Sequence, residues 1–311
     1  MMDAVIVVAL RLALGFLGSL LIGWLALQRQ SLAPSGVIGA VLTGTLIFGL
    51  GGVAGGLLLI AFFVSSSALS HYKAARKQAA AQHFDKSSQR DLAQTLANGG
   101  IATLFAVFSG IAWLIHLPPA YNLICFAGLM GSLASANADT WATELGVLSQ
   151  SKPHLITIPS RVVEPGTSGG ITIDGTLAAV CGALFIGLLN LLIALLTAVL
   201  NAGQLAWLVL YNMPDSSAES QATALAAAAV LGGVAGALVD SLIGATLQAS
   251  YFSIRRNKIT ERRYEIDLTP NRLLKGWPWL NNDWVNGLAS LTGAMATVAV
   301  MVALARTVPP R

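Results

Sequence analysis

Apolar stretches long enough to cross a bilayer recur from one end of this chain to the other, as in Val5 to Leu27 and Thr176 to Leu200. A hydrocarbon core about 30 Å thick is spanned by about 20 such residues in helical form. Only 10% of the 311 residues are charged, against about 25% in a soluble globular domain, so the chain lacks the charge to solubilise a surface. The expected fold is all-α, a polytopic transmembrane helical bundle, with residues 1–311 forming a single integral membrane domain and no soluble domain of ordinary size left over.

The spacing predicts eight helices, over residues 4–27, 36–50, 52–70, 98–116, 120–137, 174–200, 222–248 and 284–306. Residues 36–69 form one apolar run of 34 residues, about 51 Å as a single helix and too long for one crossing. Gly49, Gly51 and Gly52 supply a break, giving two short or re-entrant helices; fusion of the pair would leave seven. The N-terminal run lacks a basic leader and is longer than a signal-peptide core, so a retained first helix is expected.

Net charge is +4, and fifteen of the eighteen Lys and Arg fall in the odd-numbered loops of the eight-helix scheme. These are Arg29; Lys73, Arg76, Lys77, Lys86 and Arg90; Lys152 and Arg161; and Arg255, Arg256, Lys258, Arg262, Arg263, Arg272 and Lys275. The loop at 201–221 has none, only Asp215 and Glu219. Basic loops favour the cytoplasmic side, so the active face of this multi-pass protein is expected there. Trp277, Trp279 and Trp284 read as an interfacial belt at the start of the last helix.

Cys125 and Cys181 lie in apolar runs and are too few for a disulfide framework or a zinc cluster. His71, His83, His116 and His154 lack metal-ligand spacing, no serine has a paired His and Asp pattern, and no nucleic-acid motif is present. What remains is acidic. Carboxylates in apolar helices are costly and should face protein, water or a cation. Asp139 and Glu144 lie in residues 136–146 at the end of the fifth helix, Asp174 begins the sixth, and Asp240 lies deep in the seventh. Five residues separate Asp139 from Glu144, not a same-face spacing, but a helix end or distorted turn would let both reach one cation.

Residues 165–170 read Pro-Gly-Thr-Ser-Gly-Gly before the sixth helix, with Arg161 upstream. Gly166, Gly169 and Gly170 permit close backbone approach, and Thr167 and Ser168 add hydroxyls at the positive end of a helix, chemistry suited either to a phosphate cradle without the Walker lysine or to an ordinary loop. Gln94 and Asn98 share a helical face, suited either to a ligand or to capping and helix contacts. Lys73 and Lys77 form a solvated or headgroup-binding face.

The runs Arg90 to Gly100, Ala136 to Gly146, Pro165 to Gly175, Gly236 to Gln248 and Asn281 to Ala294 resemble, in order, the membrane family containing the phytyl-phosphate kinases of the tocopherol pathway. Some relatives carry a Cys-x-x-Cys pair in the seventh loop; here Tyr251-Phe252-Ser253-Ile254-Arg255 occupies that place, followed by Lys258-Ile259-Thr260-Glu261, so no zinc is expected.

The resemblance implies a Mg²⁺-dependent transfer of a phosphoryl group from a nucleoside triphosphate, ATP or CTP, to phytyl or a related prenyl monophosphate, giving the diphosphate. Its partners would be that lipid, the nucleotide and membrane lipids, with the oligomeric state open. On this reading Asp139, Glu144 and Asp240 are catalytic as metal ligands. Arg161, Gly166, Thr167, Ser168, Gly169 and Gly170 bind phosphate. Gln94, Asn98, Asn137, Asp174, Ser241 and Gln248 contact substrate or nucleotide. A transporter built on broken helices and a cytidylyltransferase-like lipid enzyme are the competing readings.

Overall fold

The computed structural model describes residues 4–81, 89–200, 218–265 and 267–307. Lys86, His83 and Asp215, and the side chain of Glu219, lie outside the described residues. Eight long helices are present among those described: α1 (Ala4–Gln28), α2 (Pro34–Leu50), α3 (Gly52–His71), α5 (Leu92–Leu114), α6 (Pro119–Gly146), α7 (Ile173–Leu200), α8 (Ala218–Thr246) and α9 (Asn282–Thr307). A short α4 (Ala74–Ala81) follows α3.

The break between α2 and α3 falls at the expected glycines. Gly51 closes α2 through its N–H to the Ile47 carbonyl, and Gly52 takes a φ of +82° that disfavours any side chain. The hairpin returns the chain to the end from which it left. There the Ala33 N–H donates to the Arg90 carbonyl at 3.0 Å and the Arg90 N–H to the Ser31 carbonyl at 3.1 Å, tying the α1–α2 loop to the segment before α5. Two antiparallel apolar helices, α2 and α3, therefore lie between those loops.

α6 is the central helix. Phe126 through Ala138 are all buried, walled by α3, α5, α7, α8 and α9. Small residues permit this, because apolar helices in hydrocarbon associate through close packing rather than water exclusion. A Cβ on Gly131 or on Gly232 would come within 2.5 Å of the Gly293 carbonyl, and one on Gly236 within 2.7 Å of the Ala289 carbonyl. The glycines of α8 thus pack within this chain, against α6 and α9. Leucines on the outer faces, such as Leu17 and Leu188, remain 60% exposed or more, as a lipid-facing surface requires.

Two helix ends differ from expectation. α5 starts six residues early, because Asp91 accepts from the Gln94 N–H at 2.9 Å while Gln94 Oε1 accepts from the Asp91 N–H at 3.1 Å, a capping box. α6 runs nine residues further than its apolar pattern, carrying the polar 136–146 run as regular helix. Two antiparallel sheets, not anticipated, fold from the polar loops: β1 (His154–Leu155), β2 (Ile158–Val162) and β3 (Gly170–Ile171) in the order β2-β1-β3, and β4 (Ser250–Ser253), β5 (Lys258–Thr260) and β6 (Arg272–Lys275) in the order β5-β4-β6. Every residue of β2 is exposed, so no buried face marks it as a strand. Trp277, Trp279 and Trp284 form an exposed cluster beside the second sheet, with ring centroids 5.5 and 6.4 Å apart.

Candidate functional site

A cavity of about 640 Å³ opens at the end of the bundle that carries the sheets. Its wall combines the polar end of α6, the end of α8, the first turns of α5, α7 and α9, and the glycine loop before α7. Helix N-termini present unpaired N–H groups and partial positive charge, which favours anions.

The register between α6 and α8 sets its floor. A Cβ on Gly233 would lie 3.0 Å from that of Ala134, one on Gly236 would strike Ser135, and Ala138 and Ala237 share a buried cluster. The next positions in that parallel pairing are Asp139 and Asp240. Both line the cavity, as does Glu261. Asp240 Oδ2 is buried without a hydrogen-bond partner, a costly state for a carboxylate oxygen.

The glycine loop reaches the same floor. Gly169 has a φ of +81°, and a Cβ there would lie 2.4 Å from that of Ala245, one turn beyond Asp240. The loop's N–H groups are partly used internally, Gly170 donating to the Thr167 carbonyl at 2.9 Å. Ser168 Oγ donates to Glu261 Oε1 at 2.6 Å, and Gln248 Nε2 donates to the same oxygen at 2.7 Å. Gly166, Thr167, Ser168, Gly169, Gly170, Gln94, Asn98, Ser241 and Gln248 all line the cavity. Gln94 is both wall and cap, and Asn98 Nδ2 donates to the Gln94 carbonyl at 3.0 Å.

Three expected contacts are absent from the wall, and Glu144 is engaged elsewhere. Asn137 is fully buried among helices, its Nδ2 donating to the Gly182 carbonyl at 2.7 Å and its Oδ1 accepting from Ser65 at 3.0 Å; it ties α6 to α3 and α7. Asp174 is exposed and accepts from Ser149 Oγ at 2.6 Å. Arg161 lies exposed on β2, outside the wall. Glu144 borders the cavity but accepts from Lys77 Nζ at 2.6 Å and from Ser70 Oγ at 2.5 Å. Because α6 stays helical, five residues turn Glu144 about 140° from Asp139, so a distorted turn joining them does not form. Among the described residues no three His, Cys, Asp or Glu side chains gather as a metal site. Asp139 and Asp240 are the pair with the donor set for a hard cation.

Several wall residues are not singled out as contacts by the sequence: Arg90, Thr143, Glu261, Arg262, and Asn282 and Asn286 of α9; Lys77, expected on a solvated or headgroup-binding face, is instead buried in this wall and paired with Glu144. Arg90 is held with Nη1 donating to Ser67 Oγ at 3.2 Å and its guanidinium 5.9 Å from the Phe63 ring. Burial pulls that guanidinium below its usual range, and the charge of Glu144 opposes the shift. Lys275, behind the floor, donates at 2.8 Å to the Gly244 and Ala245 carbonyls that end α8. Burial lowers its ammonium as well, against Glu261 and with Arg161.

Comparison with known proteins places this architecture. The chain is similar to Protein PGR of Arabidopsis thaliana, 36% identical over 194 residues that cover 60% of this chain and 67% of the relative. It is 38% identical over 183 residues to an uncharacterised membrane protein of Methanocaldococcus jannaschii, covering 57% and 71% of the two chains. The chloroplastic Protein VTE6 of Arabidopsis thaliana is 28% identical over 159 residues, half of this chain and 45% of the relative, and it supports the resemblance to the phytyl-phosphate kinase family. No solved structure matches significantly. The integral membrane protein DUF92 family matches residues 17–294, nearly the whole length, and the chain belongs to that family.

Proposed function

We propose that this protein is a membrane-embedded phosphotransferase that moves the γ-phosphoryl group of a nucleoside triphosphate onto phytyl or a related prenyl monophosphate. The supporting observation is that Asp139, Asp240 and the 165–170 loop, from three separate parts of the chain, line one cavity. The basic loops around it argue for a cytoplasmic opening. A nucleotide then enters from water, while the lipid keeps its tail among the helices.

The fit to Mg²⁺ rests on the orphaned Asp240 oxygen and on the carboxylate of Asp139 beside it. Mg²⁺ is commonly held by one or two carboxylates and completes its shell with water and substrate phosphates. Asp139 and Asp240 would hold the ion, which supplies neutralisation of the phosphate charge. The chain's own groups do the positioning: the glycine loop and the first turns of α7 and α9 bind phosphate oxygens, and Arg90 and Arg262 add positive charge. The acceptor is already an oxyanion, so no strong general base is needed. Its oxygen bonds to the γ-phosphorus, the β–γ bridging bond breaks, and the nucleoside diphosphate leaves.

Purified protein in liposomes, given geranylgeranyl or phytyl monophosphate, Mg²⁺ and each nucleoside triphosphate in turn, tests this. Prenyl diphosphate with nucleoside diphosphate is the expected product pair. Pyrophosphate release would replace the proposal with nucleotidyl transfer, and accumulation of unchanged substrate inside sealed vesicles would replace it with transport.

A further inference from the structure

The polar cavity does not end at Arg90. Arg90, Gln94 and Asn98 also line a second, apolar cleft of about 140 Å³ between α1, α2, α3 and α5. Gly18 of α1, Phe48 of α2, and Ile60 and Phe63 of α3 form its walls. An apolar cavity of about 150 Å³ stays dry and takes a benzene-sized guest. The cleft is therefore suited to hydrocarbon, while its shared end carries a guanidinium and two amides. We infer that the cleft receives the headgroup-proximal part of the prenyl tail, with the lipid's phosphate at the Arg90, Gln94 and Asn98 junction. This assignment rests on the part of the proposed function that makes a lipid phosphate the acceptor.

The junction is built rather than incidental. The Arg90 backbone is bonded on both sides to the α1–α2 loop, through Ser31 and Ala33. Its side chain is held by Ser67 and Phe63, so it separates an apolar wall from a polar one. The occupant that matches is an amphiphile with one charged end. A nucleotide has no hydrocarbon to place in the cleft, and a neutral lipid has no anion for the guanidinium.

Gly18 offers a direct test. A Cβ added there meets no atom within 4 Å, and the residue lies ten positions before the end of α1, about 15 Å into the bundle. A side chain at position 18 therefore starts in open space on the cleft wall, and a ring there takes up part of the cleft. Gly100 is equally open but lines neither cavity, which makes Gly100→Phe the control.

Binding of geranylgeranyl monophosphate and of dimethylallyl monophosphate, whose five carbons stop short of Gly18, is measured on purified protein at fixed detergent. Gly18→Phe is expected to weaken the long-chain ligand by about tenfold or more and to leave the short one unchanged, while Gly100→Phe changes neither. Equal long-chain affinity in wild type and Gly18→Phe overturns the assignment, as does the same loss in Gly100→Phe. Wild-type protein that fails to bind the long-chain ligand overturns both the assignment and the lipid-phosphate reading. Chain-length-selective binding without any phosphoryl transfer sinks the kinase reading and leaves the cleft assignment standing.

Discussion

Asp139 and Asp240 occupy facing positions on two helices whose backbones are separated by glycine and alanine, and no cation among the wall residues is shown bonded to Asp240 Oδ2. Replacing either with Asn keeps the shape and removes a charge that the Mg²⁺ proposal requires. Asp139→Asn and Asp240→Asn are each expected to lower phosphotransfer by more than about a hundredfold while the thermal midpoint in detergent is unchanged or higher. Full activity in either variant removes that residue from the metal. Glu144 belongs to a different class. Its ion pair with Lys77 is largely shielded, the side chains being 21% and 11% exposed, so deleting one partner strands the other. Lys77→Met should cost about 2 kcal/mol, and the double variant with Glu144→Gln should recover part of it; additive losses in unfolding measurements would show that the pair is not coupled. The two aspartates are legible in the sequence because a carboxylate in an apolar helix is expensive. Asn137, in the same run, is equally conspicuous but is spent on holding three helices together. Glu261 is marked only by the family-like stretch it ends, since an acidic residue after a short strand looks like any loop carboxylate until the fold carries it under the glycine loop.

Elements whose ends are set by polar chemistry are harder to read than their apolar middles. α6 outruns its hydrophobic pattern because its last turns face a polar cavity instead of lipid, and that continuation separates Asp139 from Glu144. The glycine loop is constrained just as closely: Gly169→Ala would force a methyl into Ala245 and hold a φ that disfavours it. Loss of about 1 kcal/mol or more in stability is expected, together with weaker nucleotide binding by titration; a variant with unchanged affinity would exclude the loop's close seating from substrate binding. The second sheet carries its own pH signature. The Ser253 hydroxyl, foremost, then Asn271 and the charges of Arg256 and Arg262, hold the Glu265 carboxyl below its ordinary range. A carboxylate with a depressed folded-state pKa stabilises above its unfolded value, about 4.3 for Glu, and that contribution disappears as pH falls through the depressed value. Glu265→Gln should therefore lower the thermal midpoint at neutral pH, with the gap from wild type closing in strong acid. A gap independent of pH would assign the effect to packing alone.

At the scale of the whole molecule, the topology depends on a single break. If residues 34–71 crossed as one helix, the α1–α2 loop would lie opposite the basic segments that follow α3, α6 and α8; two helices hinged at Gly51 and Gly52 put all four on one side. The apolar run allows either outcome by length, and the three glycines tilt it. What decides is tertiary: the hydrogen bonds between Arg90 and the Ser31–Ala33 segment join loops that a seven-helix protein would hold a membrane apart. The hinge and the cytoplasmic orientation proposed from the basic loops are checked together by labelling in sealed, oriented vesicles. In a background of Cys125→Ser and Cys181→Ser, Arg29→Cys, Ser151→Cys and Arg255→Cys should all react with an impermeant thiol reagent from the cytoplasmic face only. Leu117→Cys, between α5 and α6, should react only from the opposite face. Arg29→Cys labelling with Leu117→Cys would mean that α2 and α3 do not both cross, detaching Arg90 from the α1–α2 loop and closing the proposed path from lipid to cavity. Labelling of all three basic loops from outside would instead keep the bundle intact and turn the nucleotide site away from the compartment that holds nucleoside triphosphates, removing the phosphotransfer proposal on supply alone.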